Sequence, residues 1–320
     1  MIVYSSTRKP LIIEDNPMGK GGEGLVYKIP SLPAYCAKIY YQDKRDETRK
    51  QKLQFMINHA PKELITANYI ICWPTKMIFD RKGSFLGFVM PLAFPNSMLC
   101  YNICRMRIPF DVSPIWTSCY DRQSKLGIIN RLKILVNIAV PVHAIHSLQK
   151  YVLVDFKPQN LLVTNDGKIS LIDLDSVQIC DGNVKYLCPV ATPDYLPPEL
   201  QGDKQLGNKL LSKSCDLFAL AVIFYQILYG LHPYTITAKD SNITELSNII
   251  ASNLFPFGRN AHKVAVVPQP HKKYNLLPAH IQRLFRMSFD IVPNQRPSAE
   301  EWGKTIFDFI NSIHTNSKCY

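Results

Sequence analysis

The chain has 320 residues, 47% of them hydrophobic, with 37 basic against 25 acidic side chains and a formal charge of +12. That is enough apolar material for one large core or two modest ones, which excludes a disordered chain and a disulfide miniprotein. The positive balance brings phosphate-bearing partners into consideration without specifying a function.

Short β-type runs are predicted through the first third, at 11–14, 24–29, 35–40, 75–79 and 85–90, separated by Gly, Pro and charged turns. Between the first two lies Gly19-Lys20-Gly21-Gly22-Glu23-Gly24-Leu25-Val26-Tyr27, which satisfies G-x-G-x-x-G-x-V where one strand would turn back into the next. Glycines let the backbone approach phosphate oxygens closely and aim N–H groups at them. A merely flexible hairpin has the same pattern. A dinucleotide-binding reading needs a helix opening at the last glycine, whereas Leu25-Val26-Tyr27-Lys28-Ile29 continues as strand. In the next run, Cys36-Ala37-Lys38-Ile39-Tyr40, a lone lysine sits among apolar residues. By itself it reads as an exposed strand lysine; beside a glycine hairpin its ammonium can reach nucleotide α- and β-phosphates.

A helix is predicted over 43–60, because Leu53, Met56, Ile57 and Ala60 recur at three- and four-residue steps and Pro61 ends the pattern. It carries the densest basic stretch, Lys44, Arg45, Arg49, Lys50 and Lys52, broken by Asp46 and Glu47. Residues 1–110 hold 16 Lys and Arg against 8 Asp and Glu, most of the chain's excess. The ordinary reading is a solvated helix face; the functional one is docking of an acidic partner or a membrane surface.

Beyond Pro109 and Pro114 the period becomes helical, at 126–148, 214–229, 243–253, 279–289 and 298–313. A β-like interval, 160–164 and 168–172, is joined by Asn165-Asp166-Gly167, a hairpin turn. With no repeat or low-complexity tract, the expectation is a small sheet-rich lobe, a larger helical lobe and a cleft between them.

The run Asp155-Phe156-Lys157-Pro158-Gln159-Asn160-Leu161-Leu162-Val163 follows the helix that ends near His146. An aspartate, a lysine two residues on and an asparagine five residues on can project from a rigid loop as proton acceptor, γ-phosphate neutraliser and metal ligand. The bland alternative is a polar turn whose Asp and Asn cap local backbone. Leu171-Ile172-Asp173-Leu174-Asp175-Ser176 then places a carboxylate at a strand end. Asn160 and Asp173 form a minimal oxygen-ligand set for Mg²⁺, unless Asp173 is a simple cap.

Taken together, these runs resemble the protein kinase superfamily, in the family's order and over nearly the whole chain. The resemblance implies an α+β, bilobal protein-kinase-like fold, with 1–91 as the β-rich N-lobe and hinge, 92–320 as the helical C-lobe and ATP in the cleft between. It implies ATP- and Mg²⁺-dependent phosphoryl transfer, with Asp155, Lys157 and Lys38 catalytic. The nucleotide would be held by Gly19, Lys20, Gly21, Gly22, Glu23, Gly24, Val26, Lys38 and Met90, and the metal by Asn160 and Asp173. Pro197-Pro198-Glu199 looks like the close of an activation segment, and Arg296 in Asn294-Gln295-Arg296-Pro297-Ser298 like its glutamate's partner. Asp216 resembles the buried aspartate that holds the catalytic loop, and His232-Pro233-Tyr234 after Gly230 is also similar. Phe88-Val89-Met90-Pro91 falls at the adenine-binding hinge, with Phe88 as gatekeeper and Met90 as N–H donor. Lysine two places after the aspartate resembles Ser/Thr rather than tyrosine kinases. Gly-Gly-Glu-Gly, Gly-Phe-Val-Met-Pro and Leu-Ile-Asp-x-Asp-Ser look most similar to a bacterial group of Ser/Thr-kinase-like proteins, some encoded near tellurite-resistance genes.

Three departures stand out. Leu153-Val154 replaces the His-Arg before the catalytic aspartate, and that arginine normally binds a phosphorylated activation loop, so loop phosphorylation is expected to be dispensable. Ser176, Tyr186 and Thr192 remain candidate autophosphorylation sites, although Thr192, before Pro193, fits better as a positioner of the peptide-substrate site. Asp175 replaces the glycine after the metal aspartate and is expected to face water, or to add to the metal site. The carboxylate partner of Lys38 should come from the 43–60 helix, where Asp46 lies about 20° from Leu53 on the apolar face and Glu47 about 120° away.

Two other readings use the same residues: a nucleotide-binding pseudokinase scaffold, and a phosphotransferase acting on a small molecule or lipid, against which Glu199 and Arg296 count. A nucleic-acid module would explain the charge and none of the motifs. Nine cysteines without C-x-x-C spacing argue against a zinc site or disulfide framework. The opening residues lack a signal-peptide pattern, and the apolar stretch 217–229 is too short to span a bilayer and contains Gln226, so a reducing, cytoplasmic setting is expected.

Overall fold

The computed structural model describes residues 1–316 apart from Pro189 and Ile291. The chain divides into two compact units: Met1–Phe94 with Ser170–Asp175, and Pro95–Ile169 with the residues from Ser176 onward. The second unit begins at Pro95, and the segment carrying Asp173 and Asp175 belongs with the first unit.

In the first unit, strands β1 (Ile2–Ser5), β2 (Pro10–Ile12), β3 (Gly19–Lys20), β4 (Gly24–Lys28) and β5 (Tyr35–Tyr40) precede helix α1 (Glu47–Asn58). Strands β6 (Tyr69–Ile71), β7 (Lys76–Phe79) and β8 (Phe85–Pro91) follow it. Seven of them form one antiparallel sheet in the order β2-β1-β7-β8-β5-β4-β3. The period of two decides the core: Ala37 and Ile39 of β5 join Val3, Ile13, Tyr27, Ile29, Ile78 and Val89 on one side. Cys36, Lys38 and Tyr40 point the other way and are buried too. Lys38 is therefore not an exposed strand lysine.

Helix α1 starts later than its apolar period predicts. A 3-10 turn occupies Gln42–Lys44, and Asp46 then caps the helix by accepting the N–H of Arg49 at 2.7 Å. An aspartate with a free main-chain N–H three residues on fixes a helix start more firmly than hydrophobic spacing does. Leu53 and Met56 form its buried stripe, and Trp73 Nε1 donates to the Met56 carbonyl at 2.9 Å.

The second unit runs through β9 (Met98–Leu99), α2 (Cys100–Cys104), α3 (Pro114–Tyr120), α4 (Lys125–His146), β10 (Tyr151–Val152), β11 (Leu161–Val163) and β12 (Ile169–Leu171), whose last two residues belong to the first unit. It continues with β13 (Gln178–Asp181), β14 (Val184–Tyr186), α5 (Ser214–Tyr229), α6 (Leu246–Ala251), α7 (Ala279–Asp290) and α8 (Ala299–Asn316). The Asn165-Asp166-Gly167 turn forms as expected, with Gly167 at φ +90° and Thr164 N–H donating to the Lys168 carbonyl. Helix α5 is apolar all round and buried except at Gln226 and Leu228, and Gly230 ends it at φ +81°. Helix α4 packs against α5 and α8. By length and composition α4 is apolar enough to cross a membrane; half of its residues are buried here, and Arg131 and Lys133 interrupt it. The eight cysteines among the described residues are free; Cys319 lies outside them.

Candidate active site

The glycine hairpin forms between β3 and β4. Gly21 N–H donates to the Gly24 carbonyl at 2.9 Å and closes the turn. At Gly24 a Cβ would lie 2.2 Å from the Ile39 carbonyl oxygen, so the close approach of β4 to β5 requires glycine there. Gly22 has open space around it, and Gly21, Gly22 and Lys20 are exposed. Gly19 pairs with Val26 across the hairpin. Glu23, in the turn itself, makes a two-pronged ion pair with Arg49 of α1, both contacts at 2.8 Å.

Lys38 Nζ lies 2.8 and 3.0 Å from the two carboxylate oxygens of Asp175 and 3.3 Å from Asp173 Oδ1. Tyr40, two residues along the same face of β5, donates its hydroxyl to Asp175 Oδ2 at 2.6 Å. The Arg49 guanidinium stacks over the Tyr40 ring, 4.6 Å from its centre. Glu23, Arg49, Tyr40, Asp175 and Lys38 are thus linked in one chain of contacts.

Two expectations are corrected by this arrangement. Neither Asp46 nor Glu47 is the partner of Lys38: Asp46 caps α1, and Glu47 pairs with Lys50 at 3.1 Å. Nor does Asp175 face water, since only 3% of its side chain is exposed. The physical reason is shared. A lysine buried on a two-faced strand needs a carboxylate that is buried with it, and 170–175 brings one to the Lys38 and Tyr40 face. Burial alone would lower the Lys38 pKa, but Asp175 and Asp173 outweigh it and raise it. Burial would likewise raise Asp175, and Lys38 with the Tyr40 hydroxyl holds it below the ordinary carboxylate value. Asp173, at φ +56°, keeps its side chain about half exposed.

Along β8, Phe88 stands opposite Lys38 and Met90 opposite Cys36, both buried. The Val89 carbonyl accepts the Thr75 N–H at 2.8 Å on the β7 side. Strand alternation therefore turns the Met90 N–H toward β5.

In the second unit, Asp216 at the start of α5 holds the loop before Asp155. Its oxygens accept the N–H groups of Leu153 at 2.7 Å and Val154 at 2.9 Å, and His146 Nε2 lies at 2.9 Å. These bonds hold Val154 at φ +62°, a conformation that costs a β-branched residue roughly 1–3 kcal/mol. The Val154 side chain packs with Val152, Cys188, Leu211 and Cys215, so an apolar contact with the segment after Asp173 stands where the resemblance expects an arginine.

Asp155 Oδ2 accepts Lys157 Nζ at 2.6 Å, and its Oδ1 accepts the Thr192 hydroxyl at 2.6 Å. Lys157 Nζ also donates to Thr192 Oγ1 at 3.0 Å, closing a three-residue ring. Asn160 Nδ2 donates to the Asp155 carbonyl at 2.8 Å, an orientation that presents its Oδ1 as an oxygen ligand. Glu199 and Arg296 form the expected two-pronged pair at 2.7 and 2.9 Å. Tyr40 and Arg49 escaped the sequence reading; the signal for Tyr40 was its i+2 spacing from Lys38.

A model of the protein kinase domain matches residues 13–307. The chain is 28% identical over 308 residues to protein kinase YegI of Escherichia coli O157:H7, covering 94% of this chain and 45% of that one. To citron Rho-interacting kinase of Homo sapiens it is 34% identical over 122 residues, 36% of this chain and 6% of that one. It thus spans less than half the length of the curated relatives it matches. A solved structure of the ROP18 kinase domain in complex with AMP-PNP and sucrose superposes with a TM-score of 0.61 at 15% identity, over 99% of this chain and 86% of that one, a likeness of fold. With a β-sheet N-terminal region, a helical C-terminal region and the motifs in order, the chain has the protein kinase fold and belongs to the protein kinase family.

Proposed function

We propose that the chain is an ATP- and Mg²⁺-dependent protein kinase that phosphorylates Ser and Thr hydroxyls. The observation that carries this reading is the Asp155, Lys157 and Thr192 ring, held from beneath by Asp216. It leaves a carboxylate ready to orient a hydroxyl and take its proton, beside an ammonium that can follow the moving phosphoryl group. In the first unit, Lys38 and the exposed N–H groups of the glycine hairpin are the proposed ligands of the nucleotide phosphates. AMP-PNP bound by the ROP18 domain supports ATP as the nucleotide. The Met90 N–H faces β5, so the adenine-facing backbone groups are proposed to lie beyond Pro91.

The donor chemistry fits Mg²⁺: Asp173 offers a half-exposed carboxylate, and Asn160 an amide oxygen turned outward by its bond to the Asp155 carbonyl. When bound, the ion would neutralise charge on the phosphates. Ser/Thr specificity rests on Lys157 and on the Ser/Thr kinases of the relatives' names, such as serine/threonine-protein kinase MRCK alpha of Mus musculus, 34% identical over 102 residues. A second reading, a nucleotide-binding scaffold, is favoured by one observation: Lys38 is already engaged by two carboxylates.

The test is acceptor identity. Purified protein, Mg²⁺ and γ-labelled ATP are incubated with a basic protein acceptor or with small-molecule and lipid acceptors, and the labelled position is mapped. Label on Ser or Thr of the protein, absent with Asp155→Asn, is expected. Label only on small molecules, or none at all, contradicts the proposal.

A further inference from the structure

Arg131 is 2% exposed and Arg122 lies half-buried, yet among the described residues neither makes an ion pair. Their hydrogen bonds go to main-chain carbonyls. Arg131 reaches Tyr120, Ile103 and Ile227, and Arg122 reaches Ile103, Arg105, Met106, Gln226 and Leu228. Several of these carbonyls end α2 and α5, where helices leave acceptors unsatisfied and carry partial negative charge. That accounts for the arginines' burial but leaves two full positive charges facing half-charges. Burial pushes Arg131 down to about 9 and Arg122 to about 10, and Arg122 further repels Arg131. Both stay cationic near neutrality.

Arg122 and Arg131 are among the residues around a groove of about 1020 Å³. Arg107, Lys272 and Lys273 add three more cations to its wall, against Asp121 as the lining carboxylate. A concave, low-dielectric surface of one sign focuses its field outward. The same groove holds Phe110, 93% exposed, and Leu276, 82% exposed, the two most exposed large apolar side chains among the described residues. Cation and apolar side chain together on one concave wall ask for a partner with both features.

We propose that this groove docks an acidic peptide segment with an apolar anchor, carried by a protein partner or substrate. A membrane is less well matched because the surface is concave. Single-stranded nucleic acid is less well matched because Phe110 is one exposed aromatic rather than a row of stacking platforms. The basic stretch at α1, the other place for an acidic partner, has its charges engaged: Arg49 on Glu23, Lys50 on Glu47 and Lys44 on Asp43.

The test is fluorescence anisotropy on the full chain with a labelled Glu-Asp-Glu-Leu-Phe-Glu-Asp-Glu peptide at low and high salt. Binding is expected to weaken at least about tenfold in Lys272→Glu/Lys273→Glu, in Phe110→Ser/Leu276→Ser, and when the peptide's Leu-Phe becomes Ser-Ser. It should be unchanged in Lys62→Glu/Lys82→Glu, which alters exposed charge on the first unit. Melting curves matching the wild type establish folding, and Lys272→Gln/Lys273→Gln replaces the first variant if it fails to fold. Equal affinity in the groove variants overturns the proposal. So does tighter binding of a single-stranded oligonucleotide or of anionic phospholipid vesicles through the same residues.

Discussion

Lys38 and Asp175 form a buried ion pair, Nζ to Oδ1 2.8 Å, with 6% and 3% of their side chains exposed. The carboxylate comes from the residue two places after Asp173 rather than from α1. Positioning the lysine therefore depends on the segment that carries the proposed metal ligand. Breaking a buried pair leaves an uncompensated charge, which costs about 3–5 kcal/mol, whereas the Coulomb gain of forming it is largely offset by desolvation.

Asp175→Gly, which restores the residue expected by resemblance, and Asp175→Asn should each lower stability by about 3 kcal/mol and phosphoryl transfer by at least tenfold. Glu47→Gln should leave transfer within about twofold. Denaturant melts and initial rates check both; an Asp175→Gly variant as active as the wild type contradicts the assigned role.

Arg49 ties the glycine hairpin to α1 through Glu23 and covers the Tyr40 ring. Arg49→Ala should loosen the hairpin and raise the KM for ATP several-fold with a smaller change in kcat, if the loop holds ground-state phosphates as proposed. Arg49→Lys should not restore it, since an ammonium cannot reproduce the two-pronged contact or the stacking. Steady-state kinetics at varied ATP distinguish these outcomes.

Val154 and Cys188 belong to one apolar cluster, where the resemblance expects a phosphate-binding arginine. Phosphatase treatment should leave activity unchanged, measured on protein whose phosphate content is checked by intact mass. Val154→Arg should destabilise by about 2 kcal/mol or more, because the guanidinium would enter that cluster without a partner.

His232 is buried, with Nε2 2.9 Å from the Asp194 carbonyl and Nδ1 accepting the Tyr234 N–H. Burial lowers its pKa to about 4. The unfolded chain, with an ordinary histidine near 6.5, then binds more protons than the folded chain between those values. Stability is full above about pH 6.5 and falls as pH drops toward 4, with about 2 kcal/mol lost at pH 5 from this group. Denaturant melts at pH 7 and pH 5 should show at least that loss, and His232→Gln should reduce the difference by about that amount.

The motifs were legible because each is a local run whose order along the chain carries the information. Tyr35–Tyr40 and Ser214–Tyr229 were legible because burial on both faces leaves a continuous apolar signature. Strands β1 and β6 did not stand out from their flanking residues. The partner of Lys38 was out of reach for another reason: Asp175 lies 137 residues away, and sequence offers no measure of which carboxylate returns to a given strand. Aspartate is usually exposed, and at Asp175 a buried cation overrides that tendency.

Asp155 and Lys38 are proposed to act in phosphoryl transfer. The most direct test of that role is the single-turnover rate of γ-phosphate transfer from Mg²⁺-ATP to a protein acceptor for wild type, Asp155→Asn and Lys38→Ala. A measurable wild-type rate that falls at least about a hundredfold in both variants, with folding intact, is predicted. Transfer by either variant at the wild-type rate would contradict it.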